Sequence, residues 1–287
     1  CLHLIKLRKW VDFDMLPLST FDAFHLPGVE LQLIMQLLLK LLLASLRIGA
    51  FLLSAPLFGA RWMPIQVRMI LAITMGALAV SQTPVLEFGA ISNADAMIIV
   101  LTEFAIGLTA GLVLTIWFAA MLMAGEKIAQ SSGLGFAMQV DPMTGASTPA
   151  VSQTLYIFLL VVFVSLDGHL VAIRMMIESY TAMPIGTLVS PETLVLAGIS
   201  AAGSMFLSAA IIMTPIAMTL LMVNVTVGVI SRSAPSLNLF SFGFPITLMA
   251  VFILLYMSVG GIAISAESLI ESGLTYSQNL MNELSNG

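Results

Sequence analysis

The chain has little charge and few residues that carry chemistry, and each shortage excludes a class of protein. Asp, Glu, Lys and Arg make up 9 % of its 287 residues, whereas about 25 % is usual for a soluble domain. So little charge cannot cover a water-exposed surface, so the composition predicts a membrane protein. The net charge of −5 also has the wrong sign for a nucleic-acid-binding protein.

The sequence lacks the usual motifs of enzymes and metal sites. Its one cysteine, Cys1, excludes an internal disulfide and a cysteine-based metal cluster. The histidines His3, His25 and His169 are too scattered for a metal site defined by spacing. The GLGF at 133–136 is not followed by the GK[ST] of a phosphate loop, and no GxSxG nucleophile motif occurs. We therefore expect no catalytic residues, no cofactor and no metal.

Hydrophobic residues are what the chain has in abundance. They make up 59 % of it, and the mean hydropathy is +1.06. A membrane helix needs about 20 mostly apolar residues, and the chain has six candidate stretches. Pro215 could divide the fifth into two halves, so we expect five to seven spans. The six stretches lie near 33–59, 67–83, 96–124, 154–178, 194–230 and 244–265.

Polar segments flank a single hydrophobic domain over residues 31–265. Residues 1–30 mix basic and acidic side chains and lack the features of a secretory signal. They begin with Cys, not Met, which suggests that the native start lies elsewhere. Residues 266–287 contain three glutamates and no Lys or Arg, so we predict a helix end followed by a loose polar tail.

The longest interruption of the hydrophobic pattern is the segment 125–149, which we predict to be a loop. It contains four glycines and two prolines, yet also Phe136, Met138 and Met143. Irregular backbone with large apolar side chains is tolerated at a membrane where it is buried in protein or lines a cavity. We therefore predict a functional loop here; the alternative is a plain cytoplasmic connector.

Charged residues inside apolar stretches indicate function by default, because a charge in lipid is costly unless it is paired. Lys40 and Arg47 lie in the first stretch and Glu103 in the third. Close to Glu103, Gly107 and Gly111 form a GxxxG pattern, which lets two helices approach closely.

The fourth stretch carries several polar residues. Arg174 and Glu178 are four residues apart, so they share a helix face and can pair. Asp167 and His169 could form a proton relay. We favour the other interpretation, in which Gly168 bends the helix and its polar neighbours lie near a protein-lined interior.

Three blocks carry a family resemblance. The first, at 125–142, matches at Gly125, Glu126, Gly133, Leu134, Phe136, Ala137, Asp141 and Pro142. The second, at 163–186, matches at Gly168, His169, Ser179, Pro184 and Gly186. The third, at 231–248, matches at Arg232, Ala234, Pro235, Asn238, Gly243, Phe244 and Pro245. In this order and spacing the chain resembles the FliR family of type III export-gate subunits, which includes the injectisome subunit SctT. The resemblance covers roughly residues 30–275.

The resemblance implies an all-α fold of polytopic hydrophobic helical hairpins of the export-gate kind. It implies one such chain in a hetero-oligomeric gate with FliP-like and FliQ-like subunits, through which unfolded flagellar proteins leave the cytoplasm. FlhB-like and FlhA-like export proteins and membrane lipid are the further expected partners. The expected location is the bacterial inner membrane, at the flagellar basal body.

The resemblance also suggests which residues matter. It implies a pore plug within 131–149, and we assign the plug or gating role to Gly133, Leu134, Gly135, Phe136, Ala137, Met138, Asp141, Pro142 and Met143. We expect a second set of residues, which includes the GxxxG pair, to act in structure or subunit packing. These residues are Gly107, Gly111, Glu126, Gly168, His169, Pro184, Arg232, Pro235 and Pro245.

Other functions stay open at this stage. The nearest alternative is the injectisome gate subunit, which shares the fold and exports virulence proteins. A secondary transporter would use the intramembrane charges and the break at Pro215 as a midplane site, but it should show internal repeats, and none is evident. An intramembrane enzyme would need a nucleophile and a base at membrane depth.

Overall fold

The structure is a computed structural model that describes residues 27–82, 93–132, 150–233 and 243–286. Within those ranges it contains helices and no strands, which confirms the all-α prediction. The helices are α1 (Pro27–Ser54), α2 (Ile65–Gln82), α3 (Asn93–Ser131), α4 (Ala150–Ser165), α5 (Gly168–Ala182), α6 (Pro191–Ser233) and α7 (Phe244–Asn286).

Prolines define the first helical hairpin. Helix α1 begins at Pro27, a residue favoured at the first helical position because the missing N–H would have no partner there anyway. It ends at Ser54, two residues before Pro56, whose ring disfavours the helical conformation in the residue preceding it. A turn that includes Leu57 at a φ of 71° then leads into α2.

Helix α3 is the centre of the molecule. It packs against α1, α4, α6 and α7, and its apolar residues lie on all sides of the helix, as in a core helix or a membrane span. Its fully buried side chains include Ile106, Leu114, Phe118, Met121 and Ile128. This arrangement places α3 between the α1–α2 hairpin on one side and the α6–α7 hairpin on the other.

In the described part of the chain, four helices are long and apolar enough to cross a membrane: α1, α3, α6 and α7. Helices α4 and α5 meet at a bend of 67° and together are apolar and long enough for either a broken fifth span or a re-entrant loop. The predicted short stretch near 67–83 is α2, an apolar helix below the length of a span. Helix α6 runs without interruption through Pro215, so this stretch is one helix and not two halves.

Two predicted boundaries are wrong, both for the same reason. Helix α3 continues to Ser131, so the first part of the segment predicted as a loop from residue 125 is helical, with Ile128 and Ala129 buried. Helix α7 continues to Asn286, so residues 266–286 are not a loose tail. In both places polar residues conceal apolar residues at helical spacing. In α7 the buried residues of this part are Ala266, Leu269, Ile270, Ser277, Leu280, Met281 and Leu284.

Candidate functional site

A fully buried ion pair joins two helices in the middle of the molecule. Arg47 of α1 and Glu103 of α3 both have side chains that are 0 % exposed. The Arg47 Nε donates to Glu103 Oε2 at 2.7 Å, and Nη2 donates to Oε1 at 3.0 Å. This two-point geometry is the strongest form of an arginine–carboxylate contact.

The remaining polar atoms of the pair are also bonded. Arg47 Nη1 donates to Ser179 Oγ at 3.2 Å and to the Met183 carbonyl at 3.1 Å. The backbone N–H of Gly186 donates to Glu103 Oε1 at 3.1 Å. The guanidinium carbon lies 4.3 Å from the centre of the Tyr180 ring, which is a cation–π distance.

This set of contacts, which we call the Arg47 clamp (Arg47, Glu103, Ser179, Tyr180 and the Met183–Gly186 turn), ties α1, α3 and α5 together. The Tyr180 hydroxyl adds a bond to the Ala44 carbonyl at 2.7 Å. A buried charge in apolar surroundings persists only when it is paired and hydrogen-bonded, and both conditions hold here. The clamp therefore acts as a structural tie between the three helices.

The GxxxG pair lies directly beside the clamp. Glu103, Gly107 and Gly111 are spaced by four residues on one face of α3, and that face meets α1. A Cβ added to Gly107 would overlap the carbonyl oxygen of Arg47, and one added to Gly111 would overlap Ser54 Oγ. The two glycines thus let the backbones approach closely enough for Arg47 to reach Glu103.

The sequence singled out Arg47 and Glu103 separately but did not predict that they pair. They are 56 residues apart, so no local spacing relates them. The one available signal was that each is a charge of opposite sign inside an apolar stretch, one of them adjacent to a GxxxG. The predicted Arg174–Glu178 pair does form, at 2.7 Å, but its side chains are 79 % and 59 % exposed.

The two helix ends that flank the predicted plug are held firmly. A Cβ on Gly125 would lie 2.5 Å from Ser152 Cα, so α3 and α4 are in backbone contact just before the segment 133–149 begins. Asn224 of α6 donates its Nδ2 to the Ser131 carbonyl at 2.9 Å. Glu126 is half-buried at this end.

Some predicted site residues lie outside the described residues. They are Gly133, Leu134, Gly135, Phe136, Ala137, Met138, Asp141, Pro142 and Met143 of the predicted plug, and Pro235.

Helices α4 and α5 meet at a corner made by Asp167 and Gly168. Asp167 adopts a left-handed conformation, with a φ of 54°. A Cβ on Gly168 would lie 2.5 Å from the Phe163 ring, so only glycine fits beneath that ring. The expected bend is thus present, and Asp167 provides the turn. His169 Nδ1 is buried there without a hydrogen-bond partner among the described residues.

Three other predicted packing residues do not contribute to the core. Pro184, Arg232 and Pro245 are exposed and lie on different elements. In the part of the chain that the structure describes, no three His, Cys, Asp or Glu side chains are grouped to hold a metal.

Comparison with known proteins identifies relatives over most of the chain. Residues 38–273 match the family model for bacterial export proteins, family 1. The chain is 31 % identical over 241 residues to a flagellar biosynthetic protein FliR of Pectobacterium carotovorum, covering 83 % of this chain and 91 % of that protein. It is 31 % identical over 208 residues to the FliR of Escherichia coli, covering 71 % and 77 %. It is also 27 % identical over 220 residues to the FliR of Buchnera aphidicola subsp. Baizongia pistaciae, covering 77 % of this chain and 85 % of that protein.

Proposed function

Because the chain belongs to the FliR family of bacterial export proteins, we propose that it is one subunit of the flagellar type III export gate. In this proposal it joins FliP-like and FliQ-like subunits around a pore in the inner membrane, at the flagellar basal body. Unfolded flagellar proteins pass through that pore, delivered with the help of FlhA-like and FlhB-like partners. The relatives carry names of flagellar biosynthesis proteins, which favours this role over that of an injectisome subunit.

The observation that carries the proposal is the length of exposed apolar surface on α6. Large apolar side chains are exposed from Val195 to Ile230, which spans about 53 Å along a helix. The hydrocarbon core of a bilayer is only about 30 Å thick, and even a tilt of about 40° accounts for about 39 Å. Lipid alone therefore leaves part of this surface uncovered, whereas apolar helices of partner subunits can cover it.

Exposed glycines on the α6–α7 hairpin are a second argument that it contacts another protein. On α6, Gly198, Gly203 and Gly228 have nothing within 4 Å of an added Cβ, and Gly260 and Gly261 on α7 are alike in this. Small residues on apolar helices allow a second backbone to approach closely. Such sites suit partner helices better than lipid chains.

We further propose that the segment 133–149 plugs the pore. Phe136 and Met138 would exclude water and ions by apolar packing. Gly133 and Gly135 would let the segment swing aside for a substrate, since glycine adopts backbone angles that other residues avoid. The close contact of Gly125 with Ser152 and the hydrogen bond from Asn224 to Ser131 support this role, because they fix the helix ends on either side of the segment.

Native mass spectrometry tests the assembly. The tagged chain would be produced with FliP-like and FliQ-like proteins from the same genome and extracted in mild detergent. A single large species with one copy of this chain and several copies of both partners is the expected result. Recovery of the chain alone or as a homodimer, with both partners expressed but unbound, would overturn the proposal.

Conductance measurements test the plug separately. Deletion of 133–139 should leave the assembled complex intact and increase ion leakage across membranes that contain it. Substitution of both Phe136 and Met138 by Ser keeps the length of the segment and should give a similar leak. Intact complexes with unchanged conductance in both variants would refute the plug while leaving the assembly proposal standing.

A further inference from the structure

An open apolar groove lies on the α1–α2 hairpin, and none of the residues that line it belongs to the clamp. It encloses about 720 Å³, including space open to the surroundings. Its floor consists of the small residues Ser45, Gly49, Ala50 and Ala72. The groove exists because these side chains leave a depression between two helices whose neighbouring residues are large.

The walls of the groove are exposed and almost entirely apolar. Leu42 and Leu53 of α1, Met69 of α2 and Phe104 of α3 line it, and their side chains are 38–58 % exposed. From Leu42 to Leu53 the groove follows α1 for about 16 Å. That is close to one leaflet of the hydrocarbon core, about 15 Å, which is half the thickness of the bilayer core.

One end of the groove is cationic. Arg68 lines it next to the α1–α2 turn, and its Nη2 donates to the Ala60 carbonyl at 2.5 Å, while its Nε is buried without a hydrogen-bond partner among the described residues. Arg61 follows Ala60 directly, and the exposed Trp62 comes next. Tryptophan is enriched where a protein meets the lipid headgroups.

The sequence around those arginines contains no acidic side chain. Residues 31–86 contain no Asp or Glu. The ion pairs among the described residues are Arg47–Glu103 and Arg174–Glu178, so neither Arg61 nor Arg68 has a carboxylate partner there. A groove with an apolar length of one leaflet and a positive end is complementary in shape and charge to an anionic phospholipid.

We propose that this groove is a binding site for one anionic phospholipid. One acyl chain lies along the floor at Gly49 and Ala72, and the phosphate accepts a hydrogen bond from the Arg68 guanidinium. Arg61 adds a second positive charge at the headgroup. The occupant is lipid and not protein because the site combines a leaflet-length apolar channel with an anion-binding end.

Two substitutions separate the headgroup contact from the acyl-chain contact. Arg68→Gln removes the positive charge and leaves the groove open. Gly49→Leu fills the groove, and the fold should tolerate it, because an added Cβ meets within 4 Å only Ala72 Cβ, at an ordinary 3.7 Å. The matched controls are Arg174→Gln, on an exposed arginine elsewhere, and Gly203→Leu, at a glycine with open space around it.

The test is native mass spectrometry of the delipidated full chain, titrated with phosphatidylglycerol or phosphatidylcholine of the same acyl chains. The wild-type chain should prefer one phosphatidylglycerol, Arg68→Gln should lose about fivefold of that preference, and Gly49→Leu should bind neither lipid at the site. Both controls should behave as wild type. Equal lipid binding by wild type, Arg68→Gln and Gly49→Leu would overturn the proposal.

A photo-crosslinking residue at Met69 identifies the occupant in cells. Crosslinking to phospholipid is the expected result. Crosslinking to a partner subunit or to a second copy of the chain, without lipid, would show that protein covers the groove and would overturn the proposal.

Discussion

Helices α1 and α3, which the clamp joins, and the α6–α7 hairpin have similarly apolar sequences but bury different shares of their residues. In their most apolar windows, 44 % of the residues in α1 and 39 % in α3 are buried within the chain, against 22 % in α6 and 17 % in α7. Hydropathy is nearly the same in all four, from 1.9 to 2.2. Helices α1 and α3 therefore bury about twice as large a share of these windows within the chain, and the α6–α7 hairpin leaves more of its surface to lipid or to partners.

The glycines of the two regions also differ in whether another helix covers them. Gly107 and Gly111 of α3 are covered by the backbone and side chains of α1. Gly203 of α6 and Gly260 of α7 have nothing near them. A glycine in one region thus sets the internal geometry of the chain, whereas a glycine in the other is free to set a geometry between chains.

The largest expected effect comes from breaking the clamp. Glu103→Ala leaves the Arg47 charge buried without its partner, so we expect the free energy of unfolding to fall by about 3–5 kcal/mol. Denaturant titration of the purified chain in mild detergent, followed by circular dichroism, measures it. Glu178→Ala, which opens the exposed Arg174–Glu178 pair, should cost no more than about 0.5 kcal/mol. Equal losses in the two variants would contradict the contrast between buried and exposed pairs.

Widening the α1–α3 contact should have the next largest effect. Gly107→Leu places a side chain where the Arg47 carbonyl lies, so the helices must separate, at a cost of about 1–3 kcal/mol or more. The same titration should show the loss, and the double variant Gly107→Leu with Glu103→Ala should lose less than the sum, because both act on one contact. Full additivity would mean that the glycine and the clamp are independent.

A smaller effect is expected from one hydroxyl in each region. Tyr180→Phe removes the buried bond to Ala44 and keeps the ring over Arg47, so we expect a loss of about 1 kcal/mol. Tyr276→Phe removes a longer, half-buried bond of 3.1 Å from α7 to the Ala197 carbonyl and should cost less. Both losses in the free energy of unfolding are measured in the same detergent. A larger loss for Tyr276→Phe than for Tyr180→Phe would show that the hairpin is the better packed region.

The smallest effect on the isolated chain is expected at Gly203. Gly203→Leu meets no atom within 4 Å, so unfolding of the purified chain should be unchanged. Co-production with FliP-like and FliQ-like subunits should instead yield less complex, by native mass spectrometry, because the new side chain blocks a partner helix. Normal yields of complex would place the partner surface elsewhere on the hairpin.

Much of the helical layout could be predicted from the sequence because it depends on local properties. Runs of apolar residues identify α1, α3, α6 and α7 as membrane-type helices, and a spacing of four residues is enough to predict the Arg174–Glu178 pair. The ends of α3 and α7 differ from the prediction because polarity alone does not mark a helix end. Glu, Ser and Gln residues there alternate with buried residues at helical spacing.

Only the tertiary structure decided which charges pair, which glycines are covered and where the long helices end against their neighbours. Arg47 and Glu103 are 56 residues apart, and their contact depends on how closely α1 and α3 approach at Gly107. The composition by itself determined that the chain belongs in a membrane, because 9 % charged residues cannot cover a surface in water. That α1 and α3 are more buried than the α6–α7 hairpin depends on how the helices pack, which hydropathy does not measure.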